Sequence, residues 1–100
     1  MPSMSVSVPH KLSQEEATTR LKKFVSEMKT QFGSQAKNLS ESWESNKGTF
    51  SFEVMGMSLS GVLNIEPDQV RMDGQFPMTA LPFKGKIESA VRDKLQQLLA

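Results

Sequence analysis

The chain opens on strict alternation, with Met4, Val6 and Val8 interleaved with Ser3, Ser5 and Ser7. A period of two with one apolar face predicts a half-buried strand. Pro9 has no N–H to give a ladder, so the strand should end there or lie at a sheet edge. The period then changes. Ala17, Leu21, Phe24, Val25, Met28 and Phe32 recur every three or four residues, and Arg20, Lys22, Lys23, Glu27 and Lys29 occupy the opposite face. That is the pattern of an amphipathic helix. Ser13 with Glu16 three residues on has the form of a capping box. Leu12 stands where it can staple onto Ala17, and Gly33 offers a left-handed stop. The helix is predicted over 13–32.

Alternation returns after Gly33. Leu39 to Trp43 reads as a short strand, and Ser45-Asn46-Lys47-Gly48 as a turn in which Asn and Gly suit positive φ. Phe50, Phe52 and Val54 form the next apolar face, and Gly56 breaks it. Met57, Leu59, Gly61, Leu63 and Ile65 then share a face, followed by the turn Glu66-Pro67-Asp68-Gln69 and by Val70, Met72, Gly74 and Phe76. Connections this short force antiparallel neighbours, so these four strands should form a meander. Pro77 and Pro82 should bracket a non-helical crossing. From Phe83 the period is helical again, through Ile87, Ala90, Val91, Leu95 and Leu98.

The order is β-α-β-β-β-β-α. One-faced strands and two amphipathic helices predict an α+β, two-layer sandwich: a curved antiparallel sheet covered on one face by both helices, in a single domain over 1–100. Periodicity does not fix where the first strand joins the sheet.

Composition narrows the function. Twelve basic and eleven acidic side chains leave a formal charge of +1, which lacks the basic excess that phosphate neutralisation demands, so no nucleic-acid partner is expected. With no cysteine, disulfides, thiolate nucleophiles and thiolate metal ligands are excluded. No window approaches the ~20 apolar residues of a transmembrane segment, and no apolar leader follows the first methionine. A cytoplasmic location is the expectation.

Catalytic parts are scarce. His10 is the single histidine, which leaves histidine-rich metal sites unsupported and gives any serine nucleophile one candidate base. As a polar residue just after a strand, His10 is expected to bond backbone near the helix start or to meet a partner. Glu15 and Glu16 suit the positive end of a helix dipole. Glu41 and Glu44 are three apart, and on a strand they face opposite sides. The glycines form no phosphate-cradling loop, so Gly61 and Gly74 read as sites of close packing. No cofactor or metal is implied.

Two features remain. Met55 and Met57 flank Gly56, and methionine adapts to irregular apolar partners, so this turn is a candidate contact surface. Helices closing over a sheet can also leave a cavity in the manner of a helix-grip fold. Its candidate lining is Phe24, Met28, Phe52, Leu63, Met72 and Phe83, although in a chain of this length complete filling by these side chains is the simpler expectation. A homodimer through exposed strand edges or through Met55 and Met57 is compatible with the pattern.

Val8-Pro9-His10, Leu12-Ser13 and Glu15-Glu16-Ala17 resemble the start of a small bacterial family, the polyhydroxyalkanoic acid system proteins. Trp43-Glu44, Phe50-Ser51-Phe52, Gly56, Gly61 and the closing helix at Ile87 to Leu99 extend the resemblance over nearly the whole chain. It implies a cytoplasmic protein linked to polyhydroxyalkanoate granules and supplies no catalytic residues. The granule-coating phasins are mostly helical, unlike the strand-rich pattern here. The leading expectation is therefore a non-enzymatic accessory protein that binds the granule or a granule-associated protein. The alternative is a domain that binds an acyl or hydroxyacyl ligand.

Overall fold

The computed structural model describes residues 2–100, the side chain of Phe32 excepted. Strand β1 (Ser3–Pro9) is followed by helix α1 (Gln14–Phe32), strands β2 (Lys37–Glu44), β3 (Lys47–Val54), β4 (Met57–Ile65) and β5 (Gln69–Gln75), a 3-10 segment (Met78–Phe83) and helix α2 (Lys84–Leu99). The strands form one open antiparallel sheet in the order β1-β5-β4-β3-β2. The meander is as the short turns require. β1 joins it at the β5 edge, with Val6 opposite Met72 and Val8 opposite Val70.

Both helices lie on one face, because that is where the apolar alternation points. Val6, Val8, Leu63, Ile65 and Val70 from the sheet meet Ala17 and Leu21 of α1 and Leu95 and Leu99 of α2 in one buried cluster. A second cluster of Met4, Phe76 and Ala80 continues it toward the 3-10 segment, and Met72 and Val91 pack against both. Glycines let aromatic rings lie flat on the sheet. A Cβ at Gly48 would come within 2.7 Å of the Trp43 indole, and one at Gly61 within 2.6 Å of the Phe50 ring. Each pair is directly cross-strand.

Several local expectations change. Gly48 belongs to β3, and the β2–β3 turn is Ser45-Asn46, where Ser45 takes the positive φ. Gly33 ends α1 in right-handed conformation (φ −59°), and the first left-handed residue after it is Asn38, inside a register shift of β2. This irregularity blunts the edge that β2 presents. The capping box is half made: the Ser13 hydroxyl accepts from the Glu16 N–H (3.1 Å), while the Glu16 carboxylate accepts from Arg20 (3.0 Å). The stretch between Pro77 and Pro82 is helical after all, since a short 3-10 segment with i→i+3 bonds tolerates Pro82.

The closing helix is tied down by α1. Arg20 donates to the carbonyls of Leu98 (3.0 Å) and Ala100 (2.9 Å). A cation there satisfies carbonyls that the last turn leaves without partners and faces the negative end of the dipole.

Candidate functional site

His10 sits where β1 hands over to α1. The Leu12 N–H donates to Nδ1 (3.1 Å), and Nε2 lies 2.9 Å from the Glu66 carbonyl. With Nδ1 accepting, the proton must be on Nε2, directed at that carbonyl. The residue is buried and both nitrogens are engaged with backbone. His10 therefore staples β1, the helix start and the β4–β5 turn together and does not present a surface for a partner. Gln14 reinforces this junction by donating to the Ile65 carbonyl (2.7 Å).

Met55 and Met57 part company. Met55 is 89% exposed at the tip of the β3–β4 hairpin and holds φ +53°, beside Gly56 at +78°. Met57 turns inward and packs on the Met4, Phe76 and Ala80 cluster. The apolar surface continues elsewhere, because Met78, Leu81 and Phe83 of the 3-10 segment are also exposed. Ser60 pairs with Gln75 and Val54 with Met57, so the register puts the hairpin tip at the end of the sheet from which this segment departs.

The helices do not close on the β2–β3 half of the sheet. They leave an apolar groove of about 560 Å³. Its floor is Phe50, Phe52, Val54, Leu63 and Met72 from the sheet, its walls Phe24, Val25 and Met28 of α1 and Ala90, Val91 and Leu95 of α2, with Leu39 of β2 at one side. Five residues named as candidate lining, Phe24, Met28, Phe52, Leu63 and Met72, are brought together there. Phe83 is not among the lining residues. It is 56% exposed at the junction of the 3-10 segment and α2, where the change of helix type carries it off the α2 stripe. Complete filling of the core is likewise overturned. Arg20 of α1 reaches the end of α2 at Leu98 and Ala100, and Ala90, a small residue of α2, lines the space.

Three charged side chains reach this groove: Lys29, Glu41 and Lys94. Glu41 shares the inner face of β2 with Leu39 and Trp43. Its carboxylate accepts from Trp43 Nε1 (2.6 Å) and from Lys29 Nζ (3.2 Å). The indole N–H, then Lys29, hold its pKa below the ordinary glutamate value against the opposing effect of burial. Lys94 Nζ stands 5.2 Å from the centroid of the Phe24 ring and 3.4 Å from Gln97 Oε1. Separating Glu41 from Glu44 by face is correct, since Glu41 lines the groove and Glu44 pairs on the outer register beside Lys47. Leu39, Glu41 and Trp43 share one face of β2 at a period of two, a carboxylate between two apolar residues, and that spacing is the sequence signal for Glu41 in the groove. Lys94 has a comparable signal, one turn after Ala90 on the lining stripe.

A polar crevice of about 400 Å³ lies where the first turns of α1 face the β2–β3 turn. The Thr18 hydroxyl there donates to the Gln14 carbonyl (2.8 Å) and lies 3.0 Å from the Asn46 side chain. Among the described residues, no group of three or more His, Asp or Glu side chains converges as a metal site would require. No helix among them is long and apolar enough to cross a membrane.

A family model described as "Putative polyhydroxyalkanoic acid system protein" matches residues 4–99. The chain belongs to that family. The match runs from Met4 to Leu99, both buried, so it begins and ends on core side chains and takes in every wall of the groove. Comparison with curated proteins gives no match. The family description names a system and not a reaction, and assigns no residue a role.

Proposed function

We propose that the chain is a non-enzymatic, cytoplasmic binding protein whose groove takes the apolar chain of an acyl or hydroxyacyl ligand. The groove carries this reading. Its volume of about 560 Å³ lies within the ~300–1,000 Å³ common for small-molecule sites. Both helices and the sheet contribute apolar side chains to its lining, and covering such surface is worth roughly 25 cal/mol per Å². A non-catalytic role is supported by His10, the single histidine, which has both ring nitrogens committed to backbone. Calorimetric titration and thermal-shift measurements with saturated acids, alcohols and hydroxyacids of increasing chain length test the reading. Affinity should rise with each added methylene until the groove is full. No heat and no shift across the series would remove this proposal.

A second reading, attachment to the granule or to a granule-associated protein, has its own observation. Met55 adopts a left-handed conformation that Asn or Gly takes at lower cost, yet a large apolar side chain stands there almost wholly exposed. Such local cost kept at a surface position favours a contact function. Met78, Leu81 and Phe83 extend the same end. Co-sedimentation with isolated granules is the test, and protein remaining wholly in the supernatant counts against it.

A further inference from the structure

We infer that the groove's ligand carries a carboxylate head, bound by Lys94, with its acyl tail running inward along Phe24; this rests on the groove being an acyl site. The three charges on the lining decide the sign. Glu41 and Lys29 neutralise one another at 3.2 Å, and the remaining Glu41 oxygen is taken by the Trp43 N–H at 2.6 Å. The Lys29 charge is balanced and both Glu41 oxygens are engaged, so the pair offers a ligand no net charge. Lys94 differs. Among the described residues no carboxylate stands within 4.0 Å of its ammonium, and its polar contact is the neutral Gln97 side chain at 3.4 Å. An ammonium has three donors, so at least two remain for a carboxylate.

Position agrees with charge. Ala90, Val91, Lys94 and Leu95 are the α2 residues that line the groove, and Lys94 stands one helical turn after Ala90, a small residue. Its ammonium lies over the Phe24 ring, so a chain laid against that ring brings its polar end to Lys94. The other two charges on the lining, Lys29 and Glu41, are committed to one another, so Lys94 is the uncommitted charge among the described lining residues. Size agrees too. At roughly 30 Å³ per water-sized group, a space of about 560 Å³ holds at most about 18 such groups, which admits a medium-length chain.

The test compares dodecanoate, methyl dodecanoate and dodecanol, each below its aggregation threshold, by calorimetric titration at pH 7. The proteins are the wild type, Lys94→Met and Lys94→Arg, and thermal unfolding confirms that each variant is folded. Methionine keeps the aliphatic length that covers Phe24, so packing is preserved while charge is lost. The acid should bind the wild type about tenfold tighter than the ester or alcohol, as a charge-assisted hydrogen bond allows. Lys94→Met should erase that advantage, weakening the acid by about tenfold more than the ester or alcohol, and Lys94→Arg should restore it. Equal affinity for acid and ester in the wild type, or an acid preference surviving in Lys94→Met, overturns the head-group assignment and leaves the acyl site standing. If none of the three amphiphiles binds, the site and its head group fall together.

Discussion

Phe50 and Gly61 are cross-strand partners, and the Phe50 ring lies over the glycine so closely that any Cβ there would fall within 2.6 Å of it. The glycine is what allows an aromatic floor to lie flat under the groove without filling it. Gly61→Ala should push the ring off the sheet, and the new methyl would also stand 3.3 Å from the Asp73 carbonyl oxygen. A loss of ~1–3 kcal/mol is expected from this overpacking. Urea unfolding of Gly61→Ala, Phe50→Leu and the double variant would show it, the double variant being more stable than the sum of the singles.

Arg20 should act on the end of α2 rather than on its own helix. Its bonds to the Leu98 and Ala100 carbonyls are the interaction at risk, since the Glu16 pair is a surface i,i+4 contact of small worth. Arg20→Met should lower stability by ~1–2 kcal/mol, whereas Glu16→Gln should cost under about 0.5 kcal/mol. Hydrogen exchange of the last turn of α2 should rise in the first variant and stay unchanged in the second.

Glu41 gives the fold a pH dependence of definite sign. Its pKa is lower in the folded protein than in the unfolded chain, first through the Trp43 N–H and then through Lys29. Ionised Glu41 therefore contributes stability that is fully present above the ordinary glutamate value and is lost as pH falls through the lowered folded value. Glu41→Gln should be less stable than wild type at pH 7. The two should converge on acidification below the ordinary glutamate range, as followed by urea midpoints across pH.

Ala90 offers a way to close the groove without disturbing the buried clusters, because it lines the space while being exposed on α2. Ala90→Trp should fill the opening and abolish acyl-chain binding. Thermal stability should remain within about 0.5 kcal/mol of wild type, as for exposed substitutions generally.

The hairpin tip separates folding from contact. Met55→Asn places a residue suited to positive φ before Gly56 and should raise stability by ~0.5–1 kcal/mol. In the same protein, co-sedimentation with granules should fall if Met55 serves attachment, and a thermal melt run alongside would register the opposite trend.

Much of the fold is legible in the chain because each element buries one face. Met4, Val6 and Val8 had to be a strand, and Ala17 and Leu21 had to face a core. Errors fell where backbone conformation answers to contacts beyond the local pattern. Gly48 looked like a turn residue but is a strand residue beneath Trp43. Gly33 looked left-handed but stays right-handed, and the reversal is deferred to Asn38. Candidate lining fared similarly. Phe24, Met28, Phe52, Leu63 and Met72 were apolar residues on predicted inner faces, and they do meet. Phe83 followed the same stripe on paper but stands across a junction of helix types.

By itself the sequence determined the class of fold, the order of its elements and which face of each is apolar, since hydrophobic period and turn chemistry are local properties. Only the tertiary structure decided that β1 joins β5, that His10 is sealed by backbone, and that the two helices stop short of covering β2 and β3. The reason is physical: whether apolar faces pack fully or leave a groove depends on how their separate volumes fit together, and no single segment of the chain carries that information.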